Sequence, residues 1–168
     1  TCATIGKMTL PELTRRGWRV GTIKHAHHSF DIDHPGKDSY LHREAGAAEV
    51  IVASASRWAH IRELADQPPA SLDELLSHMG PLDLVLVEGW KHGSHPRLEV
   101  RRSEAPAPPL AANDAAVLAI VSDVPLPDER CPVLLRNDLP AIADFILRAV
   151  GAPSCGSAFR RDPRISKK

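Results

Sequence analysis

Apolar residues in this chain fall into short runs that predict β-strands. Two runs, "LDLVLVEGW" at residues 82–90 and "AVLAIVSD" at residues 116–123, are continuously apolar, which is typical of strands buried on both faces of a parallel sheet. Alternating apolar and polar positions predict further strands. These are "RVGTIKH" (19–25), "EVIVAS" (49–54), "RWAHIREL" (57–64) and "RLEVRR" (97–102), the last at a sheet edge, with "PVLL" (132–135) as a short one.

Helix signals lie between these strands. In "KDSYLHREAGA" the apolar residues recur at helical spacing, and Gly46 marks the end of the helix. Ser71 with Glu74 three residues later forms a capping box at the start of the next helix. Asn137 and Asp138 are capping candidates for a last helix over "LPAIADFILRAV".

The order of these elements predicts a three-layer α/β fold with a mostly parallel sheet. Ligands of such sheets bind at the carboxyl ends of the strands. We therefore expect His25, Glu88, Asp123 and Asn137 on one rim. Residues 1–150 are predicted to form one domain, and residues 151–168 a disordered basic tail.

Composition narrows the classes of function. The chain has 168 residues, of which 43% are apolar, and 21 Lys and Arg balance 21 Asp and Glu. A balanced charge favours neither nucleic acid nor an anionic membrane as partner. No apolar run is long enough to span a membrane, no secretory leader pattern is present, and the three cysteines have no pairing pattern. We expect a cytoplasmic protein.

The stretch "GTIKHAHHSFDIDHPGKDSY" (21–40) is rich in histidine and aspartate. One interpretation is a metal site, since His25 and His27 share one side of an extended strand. A second is a switch segment for a nucleotide, in which Lys24, Lys37 and His25 contact anions. A third is a solvated polar loop. The switch interpretation accounts for more residues, including a proline-glycine turn that directs Lys37 and Asp38 back towards the strand.

The N-terminal residues partly match the phosphate-binding loop motif G-x-x-x-x-G-K-[ST]. Gly6 and Lys7 fit this pattern, whereas Thr1 replaces its first glycine and Met8 its hydroxyl residue, with Thr9 one position late. The run "DLVLVEG" has the form of a Walker B strand. Its final acid and glycine would face a metal ion and a terminal phosphate.

Taken together, "GKMTL", "LTRRGWRVGTIKHAHHSFDIDHPGKDSYLHREAGAAEVIVAS", "DLVLVEGWK" and "AIVSD" resemble the molybdopterin-guanine dinucleotide biosynthesis adaptor proteins, the MobB family. The resemblance covers residues 6–150 and implies a P-loop NTPase-like fold. It also implies a homodimer that binds GTP with Mg²⁺, hydrolyses it weakly at most, and assists the molybdenum cofactor guanylyltransferase. Molybdopterin, molybdenum insertion proteins and apo-molybdoenzymes are further partners in that pathway.

The resemblance also implies roles for individual residues. Gly6, Lys7 and Thr9 would hold phosphate, Thr9 and Glu88 would hold the metal, and Gly89 would admit the terminal phosphate. Asp123 would accept hydrogen bonds from the guanine N1 and N2 groups. The switch-like segment would contain Lys24, His25, His27, Asp33, Gly36, Lys37, Asp38 and Ser39.

Two departures from the family pattern leave alternatives open. The family has a strand before a complete P-loop and a longer first helix, whereas here Pro11 interrupts the segment after Lys7. We expect that the sequence lacks segments of a longer protein. The alternatives are a GTP-dependent metallochaperone, a small nucleotide or coenzyme kinase, and a degenerate P-loop scaffold without nucleotide.

Overall fold

The structure is a computed structural model that describes residues 4–26, 30–90, 93–104 and 108–151. The described chain divides into two compact units. The first contains the residues up to Lys24 and those from Leu82 onward, and the second contains His25–Pro81. No helix among the described residues is both long and apolar enough to cross a membrane.

Four helices and seven strands make up the described chain. The helices are α1 (Thr4–Arg15), α2 (Asp38–Glu44), α3 (Leu72–Ser77) and α4 (Leu139–Ala149). The strands are β1 (Val20–Lys24), β2 (Glu49–Ala53), β3 (Trp58–Arg62), β4 (Leu84–Glu88), β5 (Arg97–Arg101), β6 (Val117–Ser122) and β7 (Val133–Leu135).

Parallel pairing dominates the first unit. Strands β1 and β4 pair in parallel, from Val20 opposite Leu84 to Lys24 opposite Glu88. Strands β5, β6 and β7 form a second parallel sheet in that order, with β5 at its edge as predicted. Since parallel partners end on the same side of a sheet, the polar residues that follow these strands are gathered at their carboxyl ends.

The core of the first unit lies between its strands and helices α1 and α4. Its buried members come from both helices and from β4 and β6: Leu13, Leu84, Val121, Ile142, Ala143, Ile146 and Leu147. Each fully buried aliphatic side chain contributes about 1.5–3 kcal/mol relative to exposure. The core therefore fixes α1 and α4 against the strands that carry the predicted rim.

Helix α1 differs from the prediction, because it continues through Pro11 rather than stopping there. A proline inside a helix lacks the N–H that would bond to the carbonyl four residues earlier, here that of Lys7. Burial of Leu13 on the core side offsets this loss. The helix ends at Arg15, and Gly17 follows it with a φ of 86°, the left-handed conformation that suits glycine, and with its N–H bonded to the Thr14 carbonyl.

The second unit contains an antiparallel hairpin, β2 with β3, and two short helices. Of the predicted capping box, the Ser71 half is confirmed at α3, where the Ser71 hydroxyl accepts a hydrogen bond from the Glu74 N–H at 3.1 Å, whereas the Glu74 carboxylate is bonded to Arg62. Helix α3 ends at Ser77. In the first unit, Asp138 likewise caps α4 by accepting from the Ala141 N–H.

Two predictions about the sheet are wrong in part. The strands form three separate sheets among the described residues, not one. Strand β4 is buried only at Leu84 and is half-buried elsewhere. Among the described residues it pairs with β1 alone, so its other edge has no neighbouring strand there. Strand β6, by contrast, is buried almost throughout, as expected. Of the tail predicted at residues 151–168, residues 152–168 lie outside the described residues.

Glu99, in the middle of β5, is a buried carboxylate that ties a loop to the sheet. It accepts hydrogen bonds from the backbone N–H groups of Leu110 at 3.0 Å and Ala111 at 2.8 Å. Both of its oxygens also accept from Arg101, which is paired with Glu129 as well. Burial by itself raises the pKa of Glu99, but the donors from Arg101, Ala111 and Leu110 together hold that pKa below its usual value.

We predict that Glu99→Gln lowers the free energy of unfolding near neutral pH by about 1–3 kcal/mol, since hydrogen bonds to a charged acceptor are lost. A carboxylate with a lowered folded pKa contributes stability above its unfolded pKa that is lost as the pH falls through its folded pKa. The difference between the two proteins should therefore shrink on acidification. Urea unfolding over a pH series measures it.

Glu104→Gln is the matched control, because Glu104 is exposed beyond the end of β5. We expect this change to leave the unfolding free energy within about 0.5 kcal/mol of the parent. Equal effects of the two substitutions would contradict the anchoring role of Glu99.

Candidate functional site

The carboxylate of Glu88 lies at the N-terminal end of α1. Its Oε1 accepts a hydrogen bond from the Gly6 N–H at 3.2 Å. Its Oε2 lies 3.5 Å from the Lys24 Nζ, which the β1–β4 register places directly opposite. The free N–H groups and the dipole of a helix N-terminus favour an anion. The carboxylate therefore lies in an environment suited to an oxyanion.

Glycine at position 6 permits this close approach. A Cβ at Gly6 would lie 2.5 Å from Glu88 Oε1, inside the contact distance of real side chains. Gly89, directly after Glu88, has a φ of 78° and so also adopts a conformation that favours glycine. Of the two glycines predicted for phosphate contact, Gly6 thus contacts the Glu88 carboxylate and Gly89 follows Glu88 in the chain.

The other predicted phosphate-loop residues lie in α1 itself. Lys7 is exposed and makes no ion pair within the described residues. Thr9, by contrast, is completely buried, and its hydroxyl donates to the Gly6 carbonyl at 3.5 Å. To reach a metal ion, the Thr9 hydroxyl would have to leave this buried position. Residues 1–3, including Thr1, lie outside the described residues.

Asp123 follows β6 and is held by Ser103, two residues beyond the end of β5. Its carboxylate accepts from the Ser103 N–H at 3.0 Å and from the Ser103 hydroxyl at 3.0 Å. The backbone bond from Ser103 is the main reason that the pKa of Asp123 lies below its usual value. The carboxylate is thus ionised and fixed in orientation, and its exposed side keeps acceptor capacity.

In the second unit, the predicted turn in the switch-like segment is confirmed. The Lys37 N–H bonds to the His34 carbonyl at 3.1 Å across Pro35 and Gly36, and the φ of Gly36 is 83°. Lys37 is the N-cap residue of α2, and its side chain makes no capping bond. The turn leads directly into Asp38, the first residue of α2.

Arg43 of α2 holds the start of this segment. Its guanidinium donates to Glu63 at 2.6 Å, to Asp31 at 3.1 Å and to Asp33 at 3.3 Å. Asp33 also accepts from the Ser39 hydroxyl at 2.8 Å, which is the largest cause of its lowered pKa. The pKa of Asp31 is lowered mainly by the Asp33 N–H and next by Arg43. Arg43 therefore fixes two aspartates of the segment.

The segment borders an open hollow of about 720 Å³ within the second unit. Apolar residues of β2 and β3, such as Val50, Val52 and Ile61, line it on one side. Its polar residues include four of those predicted for the switch: Asp33, Lys37, Asp38 and Ser39. His42 and Arg57 add further cationic or ionisable groups to the lining.

A metal centre finds no support in the described residues. No group of three or more His, Cys, Asp or Glu side chains converges among them. His25 is an exposed residue of the second unit, whereas Lys24 belongs to the first. His27 lies outside the described residues.

Sequence reasoning missed Arg43, Ser103 and Arg136. Arg43 contacts carboxylates 10, 12 and 20 residues away, which no local pattern reveals. Ser103 follows the end of a strand that runs parallel to β6, so its position at the rim was open to the same argument that selected Asp123. Arg136, in the loop after β7, lines a cavity with Met8, Asp123 and Asn137.

Comparison with known proteins identifies the family. The family model described as MobB, molybdopterin guanine dinucleotide synthesis protein B, matches residues 3–123. This chain belongs to the MobB family. It is 44% identical over 147 residues to the molybdopterin-guanine dinucleotide biosynthesis adapter protein of Escherichia coli, covering 86% of this chain and 83% of that protein. The protein of the same name from Haemophilus influenzae is 43% identical over 148 residues, with coverages of 84% and 81%.

Solved MobB structures share the fold. A crystal structure of molybdopterin-guanine biosynthesis protein B superposes with a TM-score of 0.66 at 26% identity, covering 86% of this chain and 90% of that one. A MobB homologue from Bacillus stearothermophilus gives 0.63 at 26% identity, with 88% of each chain covered. These likenesses confirm the predicted α/β, P-loop NTPase-like fold class.

We predict that Ser39→Ala raises the pKa of Asp33 more than that of Asp31, because only Asp33 accepts from the Ser39 hydroxyl. Arg43→Gln should raise the pKa of both aspartates, because both accept from Arg43. A carboxylate whose pKa is lowered in the folded protein contributes stability that is lost as the pH falls through that pKa. Because the variants lack part of this contribution, their stability should fall less on acidification than that of the parent. Carboxyl chemical shifts over a pH series measure the two pKa values.

Arg57→Gln serves as the control, since Arg57 borders the same hollow and no bond to either aspartate is found for it in the described chain. Unchanged aspartate pKa values in Arg43→Gln would refute the role assigned to Arg43.

Proposed function

We propose that this chain is a GTP-binding adaptor in the synthesis of molybdopterin-guanine dinucleotide. The proposal is supported by the family membership and by the MobB fold, a nucleotide-binding P-loop fold. The single observation that carries it is the anion environment at the start of α1, where the Gly6 N–H and Lys24 both contact the Glu88 carboxylate.

The residues at this position fit the phosphates of a nucleotide. A carboxylate and a phosphate are both oxyanions, so donors that hold one can hold the other. Gly6 would supply a backbone N–H, and Lys7 and Lys24 would supply positive charge. Binding of phosphate there requires that the Glu88 side chain move aside, which it can do as the end of a flexible chain.

Magnesium would be held by Glu88 in this proposal, since a carboxylate released from the helix end is a hard oxygen ligand of the kind Mg²⁺ prefers. The ion would neutralise phosphate charge when bound. Thr9 is a weaker candidate ligand than the sequence suggested, because its hydroxyl is buried and bonded to the Gly6 carbonyl. The carboxylate of Asp123 is the proposed acceptor for the guanine N–H groups.

The molybdenum cofactor guanylyltransferase is the proposed partner, and the hollow of the second unit is where we place contact with it or with molybdopterin. An apolar lining beside Lys37 and Arg57 suits a ring system that carries an anionic group. The roles of Lys24, His25, His27, Asp38 and Ser39 in a nucleotide switch stay predictions from the family resemblance. A cytoplasmic location stays a prediction from the cysteine pattern.

A nucleotide-free scaffold is the second candidate. Glu88 already occupies the helix end, and Met8 replaces the hydroxyl expected to bind metal. In such a protein the carboxylate would be the permanent partner of Gly6 and Lys24. The GTP-binding adaptor and the scaffold differ in whether phosphate can displace the Glu88 carboxylate from Gly6 and Lys24.

We predict that the chain binds GTP in preference to ATP and that this binding depends on Mg²⁺. Lys7→Met should weaken GTP binding at least about tenfold, because it removes one charge-assisted contact to phosphate. Isothermal titration with both nucleotides, with and without Mg²⁺, measures these effects.

Arg148→Met is the control for loss of one positive charge, because Arg148 is exposed in the last turn of α4. We expect it to bind GTP like the parent. Absence of binding by either nucleotide in the parent would leave the scaffold as the better account.

We also propose a homodimer, supported by the apolar residues exposed on the hairpin. Ile51 is 65% exposed and Trp58 64% exposed, which is costly for side chains of this size unless another surface covers them. We predict that Ile51→Asp shifts the chain towards monomer in sedimentation velocity experiments. The control is Val124→Asp, which introduces the same charge at an exposed apolar position of the first unit. It should leave the oligomeric state unchanged. A dimer that survives Ile51→Asp would contradict an interface on the hairpin.

A further inference from the structure

A small cavity lies at the carboxyl ends of β6 and β7, in the first unit. It measures about 220 Å³ and is lined by Met8, Asp123, Arg136 and Asn137. Pockets for complete drug-sized ligands enclose about 300–1,000 Å³. The cavity is therefore suited to a single ring system rather than to a whole nucleotide. Its lining combines one apolar side chain with a carboxylate, a guanidinium and an amide.

Arg136 contributes a guanidinium group to the lining of this cavity. Its Nε is shielded from solvent and has no hydrogen-bond partner among the described residues. The backbone of Arg136 is fixed, because its N–H bonds to the Ser122 carbonyl at 2.7 Å at the end of β6. Its charge also acts on Asp123, since Arg136 is one of the groups that lower the pKa of that carboxyl.

We infer that Arg136 is a specificity-determining residue that reads the O6 and N7 atoms of a guanine base bound in this cavity. This inference rests on the proposed GTP binding and extends it to the recognition of the base. A guanidinium donates two parallel hydrogen bonds, and the O6 and N7 atoms of guanine are two adjacent acceptors that match it. Adenine presents an N6 donor where guanine has O6, so the same fork would face a donor.

The other residues of the cavity complement this contact. Asp123 offers a carboxylate to the N1 and N2 donors of guanine, and Ser103 holds that carboxylate in place from the opposite side. Asn137 can donate or accept with its amide. Met8 supplies a polarizable, flexible side chain of the kind that packs against an aromatic ring. Met8, which replaces the hydroxyl residue of the P-loop pattern, would thus contact the guanine base.

The test compares Arg136→Met, Arg136→Lys and the exposed control Arg148→Met with the parent chain. Each protein is titrated with GTP, ATP and 7-deaza-GTP, which lacks the N7 acceptor, in the presence of Mg²⁺. Circular dichroism and urea unfolding verify that each variant is folded. Arg136→Lys keeps the positive charge but removes the planar guanidinium. It therefore separates recognition of the guanine base from general electrostatic attraction of the nucleotide phosphates.

We expect the ratio of GTP to ATP affinity to fall by about tenfold or more in Arg136→Met. The parent should bind 7-deaza-GTP more weakly than GTP, and Arg136→Met should bind these two nucleotides equally. Arg148→Met should behave like the parent. If the parent binds GTP and both Arg136 variants keep its GTP to ATP ratio, the role of Arg136 is overturned while GTP binding stands. If the parent binds no nucleotide, the proposed function fails, and this inference fails with it.

Discussion

The parallel, in-register pairing of β1 with β4 is the constraint on which the candidate site depends. It places Lys24 opposite Glu88 at the point where both strands end. The core contacts of Leu13 fix α1 against these strands, so that the Gly6 N–H reaches the same carboxylate. A shift in register of one residue would turn the side chains of β4 to the opposite face. The helix end, the lysine and the acid would then no longer meet.

This arrangement gives the site an internal anion. In water the N–H groups of a helix end would be hydrated, but here the Gly6 N–H is satisfied by Glu88. The affinity for any external oxyanion is therefore a difference between two similar interactions. A phosphate with a divalent cation has an advantage over phosphate alone, because the cation gives the displaced carboxylate a new partner. In the proposed function, the contact that stabilises the unliganded protein would thus make nucleotide binding depend on a metal ion.

Charged groups in both units are used to hold loops where regular structure ends. Glu99 binds the backbone of the loop before β6, and Arg43 binds the segment before α2. In each case a single ionised group contacts several partners, which is the geometry in which hydrogen bonds to charges are strong. Rigid loops of this kind can present polar side chains with defined orientation. Asp123, held by Ser103, is the example closest to the proposed base.

Local sequence alone determined which residues form strands and helices, because hydrophobic periodicity and capping act over a few residues. The strand "AIVSD", the Ser71 cap and the Pro35–Gly36 turn were all predicted from such patterns, and motif resemblance indicated the family. Contacts that close over long separations could not be predicted in this way. Glu88 lies 82 residues from Gly6 along the chain, and Asp123 lies 20 residues from Ser103. The burial of Thr9 and the continuation of α1 through Pro11 were likewise decided by tertiary packing, because α1 buries Leu13 in the core of the first unit.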